Sequence, residues 1–238
     1  MNKGKLRDHS IFDTSGITLI ELLVALTIFG TMIGAIYRVF ITQARAYAVQ
    51  DQVVEVQQDI RGAMELMLRD LRMAGFQTNN FNSALITTNP VVTPLSDNSI
   101  TVNYEYLGGV LPVTYTVTYA LQGGNLTYTL IQTPTVGAPV QTTETILQNV
   151  GALTFSYGID QDQDGNQDDL NNDNDIDAND FLSAAGANAR GARVVAVRVA
   201  LTAMPTAVDP DVTAMVSPRQ LTSSVFLRNM SFRGATEY

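Results

Sequence analysis

The chain has 238 residues, a formal net charge of −9 and 45% hydrophobic residues, so it is long enough and apolar enough for one packed domain of ordinary size. It contains no Cys and a single His, His9, which excludes a disulfide framework and a Cys-based zinc site and argues against a Ser-His-Asp triad. The negative charge argues against a nucleic-acid partner bound by bulk electrostatics. No nucleophile-base pair, phosphate loop or catalytic metal cluster is visible, and we therefore expect no enzymatic activity.

The N-terminal segment is polar at first and then strongly apolar. Residues 1–16 carry the positive charges of Lys3, Lys5 and Arg7, whereas residues 17–37 contain no charge except that of Glu21. As a helix, this apolar run would extend about 31 Å, enough to cross a hydrocarbon core of about 30 Å. The positive leader predicts a cytoplasmic N-terminus and a single membrane pass.

Three interpretations of this segment compete. A secretory signal peptide could be cut at Ala44-Arg45-Ala46, but its apolar core would be shorter, about 7–15 residues. A plain membrane anchor would leave Glu21 unexplained, because a charge inside a bilayer costs about 2.5 kcal/mol or more. The third interpretation accounts for every residue of the segment and depends on a motif.

Gly16-Ile17-Thr18-Leu19-Ile20-Glu21 follows a short basic leader and opens an unbroken apolar run. This arrangement resembles the processing site of type IV prepilins, although that family usually has Phe in place of Ile17 and often Lys in place of Ser15. The resemblance implies that a membrane prepilin peptidase cuts between Gly16 and Ile17, and that Ile17 becomes the N-methylated first residue. It also implies that in a filament Glu21 lies beside the new amine of a neighbouring subunit. Such a pair is far less costly than an isolated buried charge.

The helical pattern continues through residues 38–76. Apolar residues recur there every three or four positions while charged residues occupy the other faces, which predicts an amphipathic half that packs on a sheet. The apolar positions are Val49, Val53, Val56, Ile60, Met64, Met67, Leu71 and Ala74. Gly75 predicts the end of the helix. The run from Arg69 to Phe76 further resembles the helix end of PilW-type minor pilins.

Residues 77–238 are predicted to form a β-rich globular domain. Alternating apolar and polar residues indicate strands at 99–106, 112–121, 125–130, 193–201 and 220–229, with one or two more within 144–157. Gln122-Gly123-Gly124 predicts a hairpin turn. Four tyrosines are expected to form cross-strand pairs: Tyr104, Tyr115, Tyr119 and Tyr128. The predicted fold class is α+β, pilin-like, with a long N-terminal helix on an antiparallel sheet.

An acidic insert occupies residues 160–180, with nine Asp and neither Lys nor Arg. Carboxylates at alternate positions of a tight loop are the ligands that Ca²⁺ prefers, so we expect structural Ca²⁺ there. One EF-hand-like frame would use Asp160, Asp162, Asp164, Asn166 and Asp168, with Asn171 at the twelfth position. A second frame, which resembles dockerin-type loops, would use Asp169, Asn171, Asp173, Asp175, Asp177 and Asp180, with Asn174 in place of the turn Gly. The sequence does not choose between these frames.

Together these features favour a minor type IV pilin. The resemblance implies a precursor in the bacterial inner membrane, cleavage by prepilin peptidase, assembly with other pilins and minor pilins, and a final place in the pilus at the cell surface. Its expected role is pilus assembly or priming, in support of motility, adhesion or DNA uptake. A type II secretion pseudopilin is the alternative of the same kind, and a membrane-anchored, calcium-binding surface adhesin is the alternative of a different kind.

Overall fold

The structure is a computed structural model that describes residues 16–77, 90–107, 111–191, 193–205, 217–227 and 229. The chain divides into two compact units, one ending at Ala48 and one beginning at Val49. Of the predicted leader, only Gly16 lies within the described residues, so the basic residues of the leader and Ser15 lie outside them.

A single helix, α1, runs from Leu19 to Met73, as the sequence predicts. In the first unit its large apolar side chains are exposed, and this segment is long and apolar enough to cross a membrane. The threonine hydroxyls of this part of α1 are satisfied by the helix itself, because Thr27 donates to the Leu23 carbonyl, Thr31 to the Ile28 carbonyl and Thr42 to the Arg38 carbonyl. The helix therefore presents an apolar surface that its own unit does not cover.

In the second unit, the predicted apolar stripe of α1 faces the core. Its members from Val56 to Ala74 are buried, Val49 and Val53 are half-buried, and the charged positions between them are exposed except Asp70. Gly75 follows with φ +76°, the left-handed conformation that ends helices and that a side chain disfavours. The side-chain amide of Asn229 lies 3.2 Å from the Ala74 carbonyl and so caps the helix end from the far end of the chain.

In the described part of the chain, seven antiparallel strands form two sheets. The first sheet has the order β1-β2-β3-β4, and the second has the order β5-β6-β7. The strands are β1 (Ser99–Leu107), β2 (Pro112–Gln122), β3 (Asn125–Pro134), β4 (Val140–Leu147), β5 (Val150–Asp160), β6 (Arg193–Ala203) and β7 (Arg219–Phe226). Buried residues of both sheets and of α1 form one hydrophobic core.

The predicted α+β, pilin-like fold is confirmed, and its antiparallel strands divide into two sheets because β5 does not continue the first sheet. One edge of β5 pairs with β6. On the other edge, the Phe155 amide donates to the Asp97 carbonyl, and Tyr157 exchanges two backbone hydrogen bonds with Leu182. Both edges of β5 thus already have hydrogen-bond partners, and β4 does not pair with it.

The predicted hairpin and tyrosine pairs are confirmed. Gln122 pairs with Asn125, and Gly123 and Gly124 both have positive φ, as a two-residue type I′ turn requires. Tyr104 lies opposite Tyr115 with ring centroids 5.3 Å apart, and Tyr119 lies opposite Tyr128 at 5.4 Å. These rings are therefore cross-strand packing.

A short helix, α2 (Ala184–Arg190), which the sequence analysis did not predict, follows the acidic insert. Ser183 caps its N-terminus and Gly191 ends it in the left-handed conformation. Asn188 exchanges two hydrogen bonds with the backbone of Leu95, and Asp97 accepts from the Ala184 amide at 2.6 Å. The segment before β1 thereby holds the far end of the insert in place.

Candidate functional site

Two regions carry the predicted site residues: the start of α1 and the acidic insert. At the start of α1, Gly16 and Ile17 are both exposed, and a Cβ added to Gly16 would meet no atom within 4 Å. The peptide bond between these residues lies immediately before the helix. No described residue therefore lies close enough to Gly16 to block access of a peptidase to this bond.

Glu21 belongs to a capping box that the sequence analysis missed. The Thr18 carbonyl accepts the first helical bond, from Leu22, and the Thr18 amide donates to Glu21 Oε2 at 3.0 Å. The Thr18 hydroxyl also donates to Oε2, at 2.9 Å, and lies 3.4 Å from the Glu21 amide. The sequence contains the pattern that predicts this capping box, because Thr-x-x-Glu precedes an apolar run. Glu21 therefore has a local role within its own subunit, in addition to the predicted pairing with another.

The acidic insert begins on a buried carboxylate. Asp160 is the last residue of β5, and its side chain is fully buried. Its Oδ2 accepts from the Arg193 guanidinium at 2.5 Å and from the Gly165 amide at 3.1 Å. Its Oδ1 is buried with no hydrogen-bond donor in the described part of the chain. A buried carboxylate with only one satisfied oxygen is costly, because the other oxygen has lost its water without replacement.

Three of the predicted metal ligands converge. Asp160, Asp162 and Asp168 each place a carboxylate oxygen within 4.8 Å of the other two, and they are the one such acidic group among the described residues. The backbone of Asp168 is held beside β5 by a hydrogen bond to the Ile159 carbonyl. The first frame is thus folded back against the strand from which it starts.

The other predicted ligands of the first frame lie on the same loop but point elsewhere. Asp164 accepts from the backbone amide of Asn166 at 2.7 Å and from its side-chain amide at 3.0 Å, and both residues are exposed. Gly165 has φ +91°, which allows the tight turn at this point. Asn171, the twelfth position, bonds instead to Asp173 of the second frame.

The second frame repeats the backbone pattern of the first, nine residues later. Gly165 donates to Asp160, and in the same way the Asn174 amide donates to Asp169 at 2.7 Å. Two hydrogen bonds between residues two positions apart also recur. In the first frame, the side chains of Asp162 and Asp164 each accept from the backbone amide two residues later. In the second frame, Asn171 and Asp173 do the same. Asn174 has φ +64°, so the predicted substitution of Asn for the turn Gly is confirmed.

The carboxylates of the second frame are occupied by its own backbone. Asp180 is buried, its Oδ1 accepts from the Leu170 amide at 2.8 Å, and its Oδ2 accepts from the Asp177 amide at 2.8 Å. Asp177 in turn caps a short 3₁₀ turn, Ala178–Asp180. Asp169 accepts from three amides, and Asp175 is exposed. This loop is closed by hydrogen bonds and gathers no triad of carboxylates.

The pKa values reflect the same contrast. Burial raises the pKa of Asp168, and the neighbouring carboxylates raise it further against a hydrogen bond from the Gln161 amide. Backbone hydrogen bonds, first from Asp177, lower the pKa of Asp180. Negative charge is therefore unfavourable at Asp168, beside the other carboxylates of the first loop, and compensated at Asp180 in the second.

Gln167 joins the two loops and was not predicted. It is buried, and its side-chain amide donates to the Asp180 carbonyl at 3.1 Å. The same side chain lies flat against Gly158, where an added Cβ would come within 2.5 Å of the Gln167 Cδ. A side chain at position 158 would therefore displace the amide group of Gln167.

Two family models match the chain. The model described as Prokaryotic N-terminal methylation motif matches residues 12–37, which include the Gly16–Glu21 motif and the apolar start of α1. The model described as Type IV Pilus-assembly protein W matches residues 114–225, from β2 to β7 with the acidic insert between them. No curated protein and no solved structure matches the chain significantly. The family matches confirm both the resemblance to type IV prepilins and the resemblance to PilW-type minor pilins.

Proposed function

We propose that this type IV prepilin-like chain is a minor pilin, cut between Gly16 and Ile17 and then incorporated into a type IV pilus, where it primes or supports assembly. The observation that carries the proposal is the Gly16–Glu21 motif at the start of an exposed apolar helix, matched by the methylation-motif model. The second match, to a pilus-assembly family, favours the pilus over a type II secretion system.

The precursor would be held in the inner membrane by the first unit of α1, with its N-terminus in the cytoplasm. The exposed apolar side chains from Leu19 to Phe40 support this step, because such a surface is stable in lipid or against other apolar helices but not in water. On leaving the membrane, the same surface would be covered by the equivalent helices of neighbouring pilins. One helix thus serves as membrane anchor and as filament contact.

Glu21 would act in both settings. Within the subunit, the hydrogen bonds from Thr18 reach Oε2, and Oε1 has no hydrogen bond among the described residues, so it could accept from a second partner. The amine created at Ile17 of a neighbouring subunit would supply that partner, and a hydrogen-bonded opposite pair removes most of the cost of burying either charge. The capping box orients the carboxylate before assembly begins.

The mass of the mature N-terminal peptide tests the processing step. We expect a peptide that begins at Ile17 and carries one methyl group, from cells with an active prepilin peptidase. In cells that lack the peptidase, the peptide should retain the leader. A chain that keeps its leader in wild-type membranes would instead be an anchored surface protein, and the proposal would fail.

Matched substitutions separate the two roles of Glu21. Glu21→Gln keeps an oxygen for the cap but removes the charge, whereas Thr18→Ala removes the cap and keeps the charge. We expect Glu21→Gln to reduce incorporation into sheared pili about as strongly as Glu21→Ala. Thr18→Ala should lower incorporation much less, since an N-cap contributes only about 1 kcal/mol.

Cleavage is measured in every variant, so that a processing defect is not mistaken for an assembly defect. Normal incorporation of Glu21→Gln would show that the charge is not needed, and the pairing step would be wrong for this subunit. A loss confined to Thr18→Ala would assign Glu21 to the cap alone.

A further inference from the structure

The geometry points to one calcium site in the first loop of the acidic insert, with Asp160, Asp162 and Asp168 as its carboxylate ligands. This inference is independent of pilus assembly and concerns only the second unit. It also chooses between two loop frames that the sequence leaves equivalent.

The spacing of the carboxylates suits a cation of this size. Ca²⁺ binds oxygens at about 2.3–2.6 Å, so two ligands on opposite sides of the ion lie about 4.6–5.2 Å apart. The three carboxylates place oxygens within 4.8 Å of one another, inside that limit. They could therefore share one ion with small side-chain adjustments.

The state of Asp160 is an independent indication of a ligand. Its side chain is fully buried at the base of the group, and Oδ1 has no donor among the described residues. Arg193 satisfies Oδ2 and, among the described residues, is the one cation in an ion pair with this group of three carboxylates, through Asp160 alone. A bound cation would give Oδ1 the partner that it lacks and would balance the remaining charge.

The chemistry of the donors selects Ca²⁺. The group offers only hard carboxylate oxygens, from Asp160, Asp162 and Asp168, and water can complete the coordination on the exposed side of the loop. Ca²⁺ accepts six to eight such ligands in irregular geometry, whereas Mg²⁺ requires a near-ideal octahedron at about 2.0–2.1 Å. A loop with three carboxylates of different burial fits Ca²⁺ better.

The second loop supplies the contrast that makes the assignment specific. Its backbone repeats the first, but both oxygens of Asp180 already accept backbone amides. We therefore expect one ion for each chain. Bound there, the ion would tie the start of the insert to the end of β5, since Asp160 ends that strand and contacts Arg193 at the start of β6.

The test uses the full chain in detergent micelles after chelator treatment. Titration with CaCl₂ alone, followed by calorimetry, should give one ion per chain and a thermal midpoint that rises with Ca²⁺. Titration with MgCl₂ alone should give weaker binding. A wild-type chain with no Ca²⁺ response, with two ions, or with a preference for Mg²⁺ would overturn the proposal.

Two substitutions of equal charge test the location. Asp162→Asn removes a proposed ligand and keeps an oxygen for the Asp164 amide, while Asp175→Asn removes the same charge from an exposed position of the second loop. Because both positions are exposed, neither change threatens folding. We expect Asp162→Asn to weaken Ca²⁺ binding by about tenfold or more and Asp175→Asn to change it by less than about twofold. Equal losses in the two variants, or a larger loss in Asp175→Asn, would refute the assignment to the first loop.

Discussion

Removal of the Tyr119 hydroxyl should destabilise the second unit well beyond the loss of one oxygen atom. That hydroxyl donates to Asp70 Oδ2 at 2.7 Å, and both side chains are buried. Burial raises the pKa of Tyr119, and the bond to Asp70 raises it further, so the hydroxyl remains a donor. Tyr119→Phe keeps the ring and its packing but leaves a buried carboxylate oxygen without a donor.

The magnitude follows from the charge of the acceptor. Hydrogen bonds to charged groups contribute about 1.5–3 kcal/mol to stability. Without its donor, the buried carboxylate also has an uncompensated desolvation penalty. Arg69 contacts the other oxygen of Asp70 at 3.1 Å, but its side chain is 65% exposed, so solvent screens most of its compensation. We expect Tyr119→Phe to lower the free energy of unfolding by about 2–3 kcal/mol, a shift of about 4–12 °C in Tm for a unit of this size.

Tyr128 provides the matched control. It lies opposite Tyr119 in the sheet, and its ring packs against that of Tyr119, but its hydroxyl makes no hydrogen bond within the described part of the chain. Tyr128→Phe should therefore change stability by less than about 0.5 kcal/mol. Urea unfolding followed by circular dichroism measures both variants, with the full chain in detergent.

A double-mutant cycle decides whether the bond itself is responsible. Asp70→Asn should be less harmful in the Tyr119→Phe background than in the wild type, with a coupling energy of about 1 kcal/mol or more. Similar small effects of Tyr119→Phe and Tyr128→Phe, or additive effects of the two changes in the cycle, would refute the reasoning.

Two glycine comparisons test the backbone arguments. Gly158→Ala should lower the free energy of unfolding by about 1–3 kcal/mol, because the new Cβ would overlap the buried side chain of Gln167. Gly62→Ala, on the open face of α1, should raise the free energy of unfolding by about 0.5–1 kcal/mol. Gly124→Ala should lower the free energy of unfolding by about 1–2 kcal/mol, because Gly124 has φ +77°, a conformation that a side chain disfavours. Gly151→Ala should leave the free energy of unfolding nearly unchanged, because the new Cβ would lie at ordinary contact distance from its neighbours. Thermal melting of the four variants checks both pairs. An unchanged melting temperature in Gly158→Ala would contradict the close contact between Gly158 and Gln167. An unchanged melting temperature in Gly124→Ala would contradict the hairpin conformation.

Local patterns were sufficient for several elements of this fold, but not for α2 or the start of β4. Helix α1 and the strands β1 to β3 and β6 follow from apolar spacing, because burial on one face imposes a period of 3.6 or 2 on any sequence that folds this way. Gly75 and the Gly123-Gly124 turn follow from a backbone conformation that few other residues adopt. The motif around Gly16 and Glu21 is equally local, which explains why it was readable without a structure.

The acidic insert shows where local patterns stop. Its composition predicts oxygen ligands, but two frames displaced by nine residues both place Asp or Asn at the alternate ligand positions and form the same backbone hydrogen bonds. Only the fold distinguishes them, since it buries Asp160 against β6 and gives both oxygens of Asp180 to backbone amides. Burial and hydrogen-bond competition depend on what packs around a residue, and its neighbours in sequence do not contain that information.

The sequence by itself determined where α1 and most of the strands lie, which face of α1 is buried, and the presence of an N-terminal methylation motif. The tertiary structure alone decided that the strands divide into two sheets, that Asp70 is buried beneath Tyr119, and that Asn229 caps a helix far away in the chain. The physical reason is the range of the interactions. Periodicity and turn conformation act over a few residues, whereas sheet pairing and buried polar contacts join residues that only the folded chain brings together.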